Sequence, residues 1–327
     1  MRSLRSPRAW LPFGATMTAL PTALTAVLMA VLLGSGCVGG LGPLARQSPA
    51  GPPATVITAT ATPVPTRPIP PPKPKKLDRK GLTRAIDRYL AQRVSAASLV
   101  MVDRTTGFTY RYRSTRQYVT ASVVKVDILA ALLLRNQRAG RGLTAAQRAD
   151  AEAMIRRSDN QAADRLYTSL GGAAGLDSAN RRLKLRNTRG VDGRCIDLLC
   201  WSLTRTTADD QVRLLQALVR GGGPLRAKNR AYVLDLMSHV IKEQSWGVRA
   251  AARAGDEVAV KNGWMTHEAD GDRWAVNSIG RVTGHGHDFL IAVFTAHNPS
   301  EGYGIATAEH IVALAAQRFR ATTPWLD

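Results

Sequence analysis

Acidic residues are scarce in this chain of 327 residues, and the first 77 residues contain none. The chain has 24 acidic against 45 basic residues, which gives a formal net charge of +21 at pH 7. Aromatic residues make up only 6%, and no basic block alternates with them, so the charge does not indicate a nucleic-acid-binding protein. A hydrophobic content of 45% excludes a chain that is disordered throughout. The composition therefore predicts a globular protein behind an acid-free N-terminal segment.

Residues 1–37 predict an export signal that ends in a lipid anchor. Three arginines precede an apolar stretch from about residue 13 to 33, and three small residues then lead to Cys37. A charged segment, an apolar segment and small residues are typical of a secretory signal. The end of this segment resembles the lipobox of bacterial lipoproteins, in which Cys37 would carry the lipid. An uncleaved transmembrane anchor is the alternative, and both interpretations place the remaining chain at the outer face of the cytoplasmic membrane or in the cell wall.

Proline is concentrated in the next segment, residues 38–77. Eleven of the 17 prolines fall between Pro43 and Pro74. Such a segment favours the polyproline II conformation and buries no apolar surface. The sequence therefore predicts a signal at 1–37, a linker at 38–77 and one globular domain at 78–327.

The order of periodic segments in the globular domain predicts an α+β fold. Apolar spacing indicates helices and alternation indicates strands. The predicted helices are 79–94, 122–136, 144–157, 161–170, 208–220, 225–243 and 305–319. The predicted strands are 97–103, 108–113, 256–262, 273–283 and 287–297. Because strands lie at both ends with helices between them, we expect one antiparallel sheet joined by a helical insertion.

A serine and a lysine three residues apart, Ser122 and Lys125, begin an apolar helix. Residues at this spacing share a helix face. A serine hydroxyl needs a base to become a nucleophile, and a lysine can be that base if its surroundings lower its pKa. A helix-capping serine followed by an exposed lysine is the alternative. The apolar residues around Lys125 favour burial with a polar partner.

Two further motifs follow along the chain. The SDN tripeptide that begins at Ser158 offers a second hydroxyl for proton relay and an amide for a substrate carbonyl, although it also suits a helix stop and N-cap. The KNG tripeptide that begins at Lys261 offers a cation for a carboxylate and a glycine that lets a ligand approach a strand. A charged strand end and turn is the alternative for this tripeptide.

The order and spacing of these three motifs resemble the penicillin-recognising serine hydrolases, and most closely the class A β-lactamases. The resemblance covers nearly all of residues 78–327. It implies the β-lactamase/transpeptidase-like α/β fold, in which a five-stranded antiparallel sheet is flanked by helices and carries an inserted all-helical subdomain. The site would lie between these two parts.

The resemblance also implies roles for individual residues. Ser122 would be the acylated nucleophile, Lys125 its base, and Ser158 the relay of a proton toward the leaving nitrogen. Backbone N–H groups of Ser122 and Trp264 would form the oxyanion hole that acyl transfer requires. The residues expected to bind substrate are Asn160, Lys261, Asn262, Gly263 and Trp264.

The chain departs from the class A pattern at two points. Asn262 stands where the K-T-G motif has threonine. The loop 189–205 contains no glutamate, whereas class A enzymes place one there to activate the deacylating water. The acids of this loop are Asp192 and Asp197, which become the candidate deacylation residues, with a turn or cap as the alternative for Asp197. We therefore expect acylation to be retained and deacylation to be weakened.

Cysteines and histidines add little chemistry. Cys195 and Cys200 predict a small-loop disulfide in an oxidising compartment, with two free thiols as the alternative. His285 and His287 have the spacing of two metal ligands, but no third ligand accompanies them, so we expect neither a metal nor a cofactor.

The leading functional hypothesis is a serine acyl-hydrolase that acts on β-lactams through an acyl-enzyme on Ser122. A D-Ala-D-Ala carboxypeptidase-type penicillin-binding enzyme is the enzymatic alternative. A non-catalytic lipoprotein that binds cell-wall peptide is the third hypothesis. Each predicts a lipid-anchored monomer whose ligand is a β-lactam or a cell-wall peptide, with no nucleic-acid partner.

Overall fold

An antiparallel sheet organises the computed structural model, which describes residues 72–195 and 198–326. The predicted export signal with Cys37, the linker up to residue 71 and the candidate residue Asp197 lie outside the described residues. Within the described ranges, no helix is both long enough and apolar enough to cross a membrane.

Groups of strands are separated by groups of helices along the chain. In chain order the elements are α1 (Arg79–Leu90), β1 (Ala96–Asp103), β2 (Thr109–Tyr112), β3 (Tyr118–Val119), α2 (Val124–Arg138), α3 (Ala145–Arg156), α4 (Asn160–Leu170), α5 (Gly172–Leu183), β4 (Arg194–Cys195), β5 (Leu198–Leu199), β6 (Arg205–Thr206), α6 (Ala208–Val219), α7 (Ala227–Ser238), β7 (Glu257–His267), β8 (Arg273–Gly284), β9 (His287–Asn298) and α8 (Glu301–Arg320). Short 3-10 helices lie at Ala121–Val123, Cys200–Leu203, Lys242–Gln244, Gly247–Ala251 and Glu268–Asp270.

The main sheet has five strands in the order β2-β1-β9-β8-β7, and every neighbouring pair is antiparallel. Strands from the two ends of the domain meet where β1 pairs with β9. This topology confirms the predicted five-stranded antiparallel sheet with flanking helices and a helical insertion. Two short two-stranded pairs, β3 with β6 and β4 with β5, lie outside the main sheet.

Both faces of the sheet are buried, which explains the four consecutive apolar residues, 99–102, in β1. Side chains alternate between the two faces of a strand. Leu99 and Met101 accordingly lie in the core shared with α1 and α8, and Val100 and Val102 lie in the core shared with the helical insertion. All eight residues of β1 are buried.

Helix α2 runs through the middle of the helical insertion and is buried almost all round. Most of its 15 residues are buried, and these include the polar residues Lys125, Asp127 and Asn136. A helix that is hydrophobic on all sides belongs in a core, so each polar side chain in it needs a partner.

One helix, α5, does not follow from the sequence pattern. Gly171 ends α4 in the left-handed conformation, as a glycine at a helix C-terminus does. Gly172 directly follows this helix end, and it is the first residue of α5. The backbone N–H of Ala173 donates to the carboxylate of Asp192 at 2.8 Å, so the cap of α5 comes from a distant part of the chain.

Asp127 is the buried acid of α2. Its carboxylate is fully buried and accepts from Gln211 Nε2 at 3.1 and 3.3 Å. Burial raises the pKa of Asp127 from 3.8 to about 7, because the ionised form loses its hydration.

We expect Asp127→Asn to stabilise the protein more at pH 8 than at pH 5. The folded pKa of Asp127 is raised, so its contribution to stability is complete below about 3.8 and is lost as the pH rises through about 7. Asparagine keeps an oxygen for Gln211 and carries no charge. The gain in unfolding free energy, measured by urea denaturation, should therefore be larger at pH 8 by about 2 kcal/mol.

The exposed Glu243 provides the control, because Glu243→Gln removes a charge that is already hydrated. It should leave the pH dependence of unfolding unchanged. Equal gains for Asp127→Asn at pH 5 and pH 8 would mean that the carboxyl of Asp127 does not titrate between these two pH values in the folded protein.

Candidate functional site

Ser122 lies in a strained turn immediately before α2. The 3-10 helix Ala121–Val123 carries it, and Ala121 adopts a φ of +46°, a region that residues with a side chain seldom occupy. The segment before it is held by Asn277, whose amide donates to the backbone oxygens of Val119 and Thr120 at 2.9 and 3.2 Å. Ser122 is half-buried and its two neighbours are buried. Backbone strain of this kind persists where the surrounding structure fixes the residue.

Lys125 connects α2 to the turn before α4. Its Nζ donates to Ser158 O at 2.6 Å, to Ser158 Oγ at 3.1 Å and to Asn160 Oδ1 at 2.7 Å. Ser158 has a φ of +58°, and Asn160 begins α4 with its side chain exposed. The side chain of Lys125 is completely buried. The first and second sequence motifs are therefore in direct contact.

Lys261 brings the third motif to the same serine. Its Nζ donates to Ser158 Oγ at 3.0 Å and to Asn262 O at 2.8 Å, and the residue is fully buried in β7. The hydroxyl oxygen of Ser158 therefore lies between two buried lysine amines.

Gly263 allows β7 to pass directly beside the Ser122 turn. A Cβ atom at this position would lie 2.6 Å from the backbone nitrogens of Ser122 and Val123, and 2.9 Å from Thr120 O. Side-chain atoms do not approach backbone this closely, so only glycine permits the contact. The edge of β7 and the Ser122 turn are thus in direct contact.

The two lysines have lowered pKa values. Burial, followed by the nearby charge of Lys261, lowers the pKa of Lys125 from 10.5 to about 6, against the opposing charges of Asp159 and Asp164. Burial lowers the pKa of Lys261 to about 7. Near neutral pH, Lys125 is therefore largely uncharged and has a lone pair that can accept a proton.

Asn262, expected to bind substrate, points away from these groups. Its amide nitrogen donates to the backbone oxygens of Gln244 and Trp246 at 2.8 and 3.2 Å, and its side chain is 1% exposed. Asn262 therefore holds the segment 244–246 against β7. Trp264, the next residue but one, is half-buried, and its ring meets that of Trp246 edge to face with centroids 5.8 Å apart.

Asp192, expected as a deacylation candidate, has a capping role. Its carboxylate binds the N-terminus of α5, and a Cβ on Gly172 would lie 2.6 Å from its Oδ1. This placement differs from the sequence expectation because the acid satisfies free N–H groups of a helix that the sequence did not predict.

Sequence reasoning missed Trp201, which lies against Lys125, and Asp164, which holds Trp201. Trp201 is 2% exposed, and its ring centroid is 4.8 Å from Lys125 Nζ. Asp164 on α4 accepts from Trp201 Nε1 at 2.6 Å and from the backbone N–H of Leu199 at 3.2 Å. The loop 189–205 therefore presents an indole ring to the lysine, at the part of the chain where class A enzymes present a glutamate.

The remaining sequence candidates form local structure. Cys195 and Cys200 are joined by a disulfide with their Cα atoms 5.1 Å apart. His285 and His287 contact carboxylates, Asp256 at 2.7 Å and Asp103 at 3.1 Å respectively. In the part of the chain that the structure describes, no group of three or more His, Cys, Asp or Glu residues is arranged to hold a metal ion.

Comparison with known families gives one match. The sequence profile described as "Beta-lactamase enzyme family" matches residues 133–319, which is more than half of the chain. The matched range includes the second and third motifs, and Ser122 and Lys125 precede it.

Curated relatives match over part of their length. The chain is 30% identical over 192 residues to proteins named "Putative lipoprotein LppW" from Mycobacterium tuberculosis and Mycobacterium bovis. This match covers 57% of the chain and 58% of each relative, so the chain spans less than two thirds of their length.

Solved structures share the fold. PBP-A has a TM-score of 0.64 and 19% identity, with 76% of this chain and 98% of PBP-A covered. A leucine-to-glutamate mutant of PBP-A, an acyl-enzyme complex with penicillin G, has a TM-score of 0.63 and 20% identity over 77% and 99%. A class A β-lactamase from Mycobacterium abscessus has a TM-score of 0.60 and 22% identity over 73% and 99%.

Proposed function

Because the chain belongs to the beta-lactamase enzyme family, we propose that it is a serine acyl-hydrolase that acts on β-lactams through an acyl-enzyme on Ser122. The observation that carries the proposal is the pair of buried lysines, Lys125 and Lys261, that share Ser158 Oγ next to the Ser122 turn. Burying two amines is costly unless they serve one polar site, and such groups with shifted pKa values cluster at catalytic centres.

In the acylation step, the lone pair of Lys125 takes the proton of Ser122 Oγ as that oxygen adds to the lactam carbonyl carbon. The oxyanion receives hydrogen bonds from the backbone N–H groups of Ser122 and Trp264. The lactam C–N bond then breaks, and Ser158 Oγ delivers a proton to the leaving nitrogen. The proton that Lys125 holds returns to Ser158 through their 3.1 Å contact.

Substrate binding rests on the other residues of the three motifs. Lys261, when protonated, attracts the substrate carboxylate, and the exposed amide of Asn160 binds the acyl amide. Gly263 lets β7 pack directly against the Ser122 turn, which brings the edge of this strand next to the nucleophile. Asn262 supports this strand from its other face through the backbone of Gln244 and Trp246.

We expect the acylation rate to follow a bell-shaped pH profile. The rate should rise as the pH passes about 6, because Lys125 must lose its proton to act as a base. It should fall as the pH passes about 7, because Lys261 loses the charge that binds the carboxylate. The two values describe the coupled pair of amines. Second-order labelling rates with a fluorescent penicillin between pH 4.5 and 9 measure the profile.

Lys261→Gln supplies the matched variant for this profile. The charge of Lys261 lowers the pKa of Lys125, so its removal should move the rising limb to higher pH and abolish the falling limb. A rate that is independent of pH between 5 and 8 would contradict the assignment of Lys125 as the base.

Deacylation is proposed to be slow, because the loop 189–205 contains no glutamate. The same feature favours the second candidate, a D-Ala-D-Ala carboxypeptidase-type penicillin-binding enzyme. The fold likeness to PBP-A supports acylation by penicillin for either candidate, since a PBP-A variant forms an acyl-enzyme with penicillin G. The third candidate is a lipoprotein that binds cell-wall peptide without cleaving it.

Three substrates separate the candidates. The full-length protein is mixed with a chromogenic cephalosporin, a labelled penicillin and a muropeptide that ends in D-Ala-D-Ala. A labelled adduct with slow cephalosporin turnover supports the leading proposal. Release of D-Ala selects the carboxypeptidase, and muropeptide binding without adduct or cleavage selects the binding protein.

The proposed location is the outer face of the cytoplasmic membrane or the cell wall of a bacterium. We propose that the protein is a monomer anchored by lipid on Cys37, with residues 38–77 as linker and 78–327 as the hydrolase domain. The relatives named as lipoproteins support this proposal, as does the charged and apolar pattern before Cys37.

A further inference from the structure

We infer that Trp201, held by Asp164, prolongs the lifetime of the acyl-enzyme by occupying the side of Lys125 from which a deacylating water would be activated. The inference rests on the proposed acylation of Ser122 and concerns the control of the second step at the same site. It is carried by the packing of three side chains that come from three separate elements.

The amine of Lys125 and the ring of Trp201 are in direct contact. Lys125 Nζ lies over the Trp201 ring, 4.8 Å from its centroid. A water molecule has a radius of about 1.4 Å and does not fit between an amine and a ring face at this separation. Lys125 and Trp201 are 0% and 2% exposed, so this side of the amine is closed to solvent as well.

Asp164 holds the Trp201 ring in place. Asp164 Oδ1 accepts from Trp201 Nε1 at 2.6 Å, and both carboxylate oxygens accept from Leu199 N–H, at 3.2 and 3.3 Å. Asp164 lies one helical turn after Asn160 on α4, and Asn160 Oδ1 accepts from Lys125. Residues four apart share a helix face. One face of α4 therefore positions both the lysine and the ring against it.

A disulfide and backbone hydrogen bonds hold the loop around the Trp201 ring. Cys200, the neighbour of Trp201, is joined to Cys195 by the disulfide, and its N–H donates to Gly193 O at 3.0 Å. The N–H of Thr204 donates to Trp201 O at 3.0 Å. The loop is thus fixed on both sides of the indole, which keeps the ring in one place during a catalytic cycle.

Trp201 cannot take the place of a base in deacylation. In deacylation, a water oxygen adds to the acyl carbon and its proton passes to a base. The bond from Ser122 Oγ to that carbon then breaks, and the oxygen regains a proton. The indole nitrogen is a donor only and is already bound to Asp164, so Trp201 cannot accept this proton. Because the ring also closes this side of Lys125 to water, neither group on this side takes the proton, and the acyl group is retained.

The test uses full-length protein and measures acylation, deacylation and thermal unfolding separately. Trp201→Glu should speed deacylation of the penicillin adduct by at least about 10-fold, because a carboxylate replaces the ring. Trp201→Phe keeps a ring and should deacylate within about threefold of the parent protein. Trp201→Leu keeps burial without a ring face and should deacylate at least about threefold faster, which carries the test if the glutamate variant does not fold.

Asp164→Asn separates positioning from a purely structural role. Its oxygen can still accept from Trp201, but the charge that raises the pKa of Lys125 is removed. The rising limb of the acylation profile should therefore move to lower pH. Trp325, which is 36% exposed, supplies the control, and Trp325→Leu should change neither step.

A folded Trp201→Glu or Trp201→Leu variant that acylates normally and deacylates at the parent rate would overturn this inference. The proposed function would be unaffected by that result. Absence of any adduct in the parent protein would instead overturn the proposed function. An unchanged pH profile for Asp164→Asn would show that the charge of Asp164 does not act on Lys125.

Discussion

Ser122→Ala will abolish the covalent penicillin adduct. The variant loses the only atom at this position that can bond to the acyl carbon, while Lys125, Lys261 and the edge of β7 are unchanged. The rate of covalent labelling should fall by at least about 10³-fold, whereas non-covalent binding should persist. Gel fluorescence with a labelled penicillin measures the adduct, and equilibrium binding of the same ligand measures what remains.

Ser178 provides the matched control, because it is an exposed serine on α5 outside the three motifs. Ser178→Ala should label at the rate of the parent protein. Full labelling of Ser122→Ala would show that another residue is the nucleophile. If no variant and no parent protein forms an adduct, and binding is the same in all of them, the non-catalytic binding protein is the better assignment.

Gly263→Ala will destabilise the fold and remove acylation together. The new Cβ would lie 2.6 Å from two backbone nitrogens of the Ser122 turn and 2.9 Å from Thr120 O. Backbone atoms cannot rotate away as a side chain can, so β7 and the turn must separate. We expect a loss of about 2–3 kcal/mol in unfolding free energy and a labelling rate reduced by at least about 10²-fold, since the oxyanion donors move apart.

Gly302 in the first turn of α8 is the control for this substitution. A Cβ there would meet no atom within 4 Å. Gly302→Ala should leave labelling unchanged and should raise stability by up to about 1 kcal/mol, because alanine favours the helix. If Gly263→Ala labels as fast as Gly302→Ala, the contact between β7 and the Ser122 turn is not required for acylation.

The order of helices and strands could be predicted because it depends on local apolar patterns. Residues 99–102 of β1 are all apolar, and the burial of the strand on both faces accounts for that. Helix ends were less predictable when the cap came from elsewhere in the chain. Helix α5 begins at a glycine that resembles a stop, and its cap is Asp192, which follows the helix in sequence. Helix α8 begins at Glu301 with Ser300 as its cap, four residues before the apolar pattern starts.

The candidate site was predictable as far as its motifs reach. The three motifs indicate that Ser122, Lys125 and Lys261 share a site, and the last two do meet at Ser158 Oγ. The contact between Trp201 and Asp164 joins a loop to a helix 37 residues away and has no motif. Only the folded loop reveals it.

The orientation of Asn262 had a signal that the predicted strand end concealed. The sequence pattern ends the strand at residue 262, which puts the tripeptide at the strand end with Gly263 in the turn. The structure continues β7 to His267, so the tripeptide lies inside a strand. Alternation then puts Lys261 and Gly263 on one face and Asn262 on the other. A longer strand prediction would have given Asn262 its supporting role.

A time course of intact mass with penicillin G tests the central claim, an acyl-enzyme on Ser122 that is formed readily and released slowly. The full-length protein should gain the mass of one whole penicillin within seconds to minutes. After digestion, the added mass should map to the peptide that contains Ser122, and the adduct should outlast removal of free penicillin. Hydrolysed penicillin accumulating many times over the protein without a detectable adduct would contradict slow release. An adduct on a peptide without Ser122 would contradict the assignment of the nucleophile.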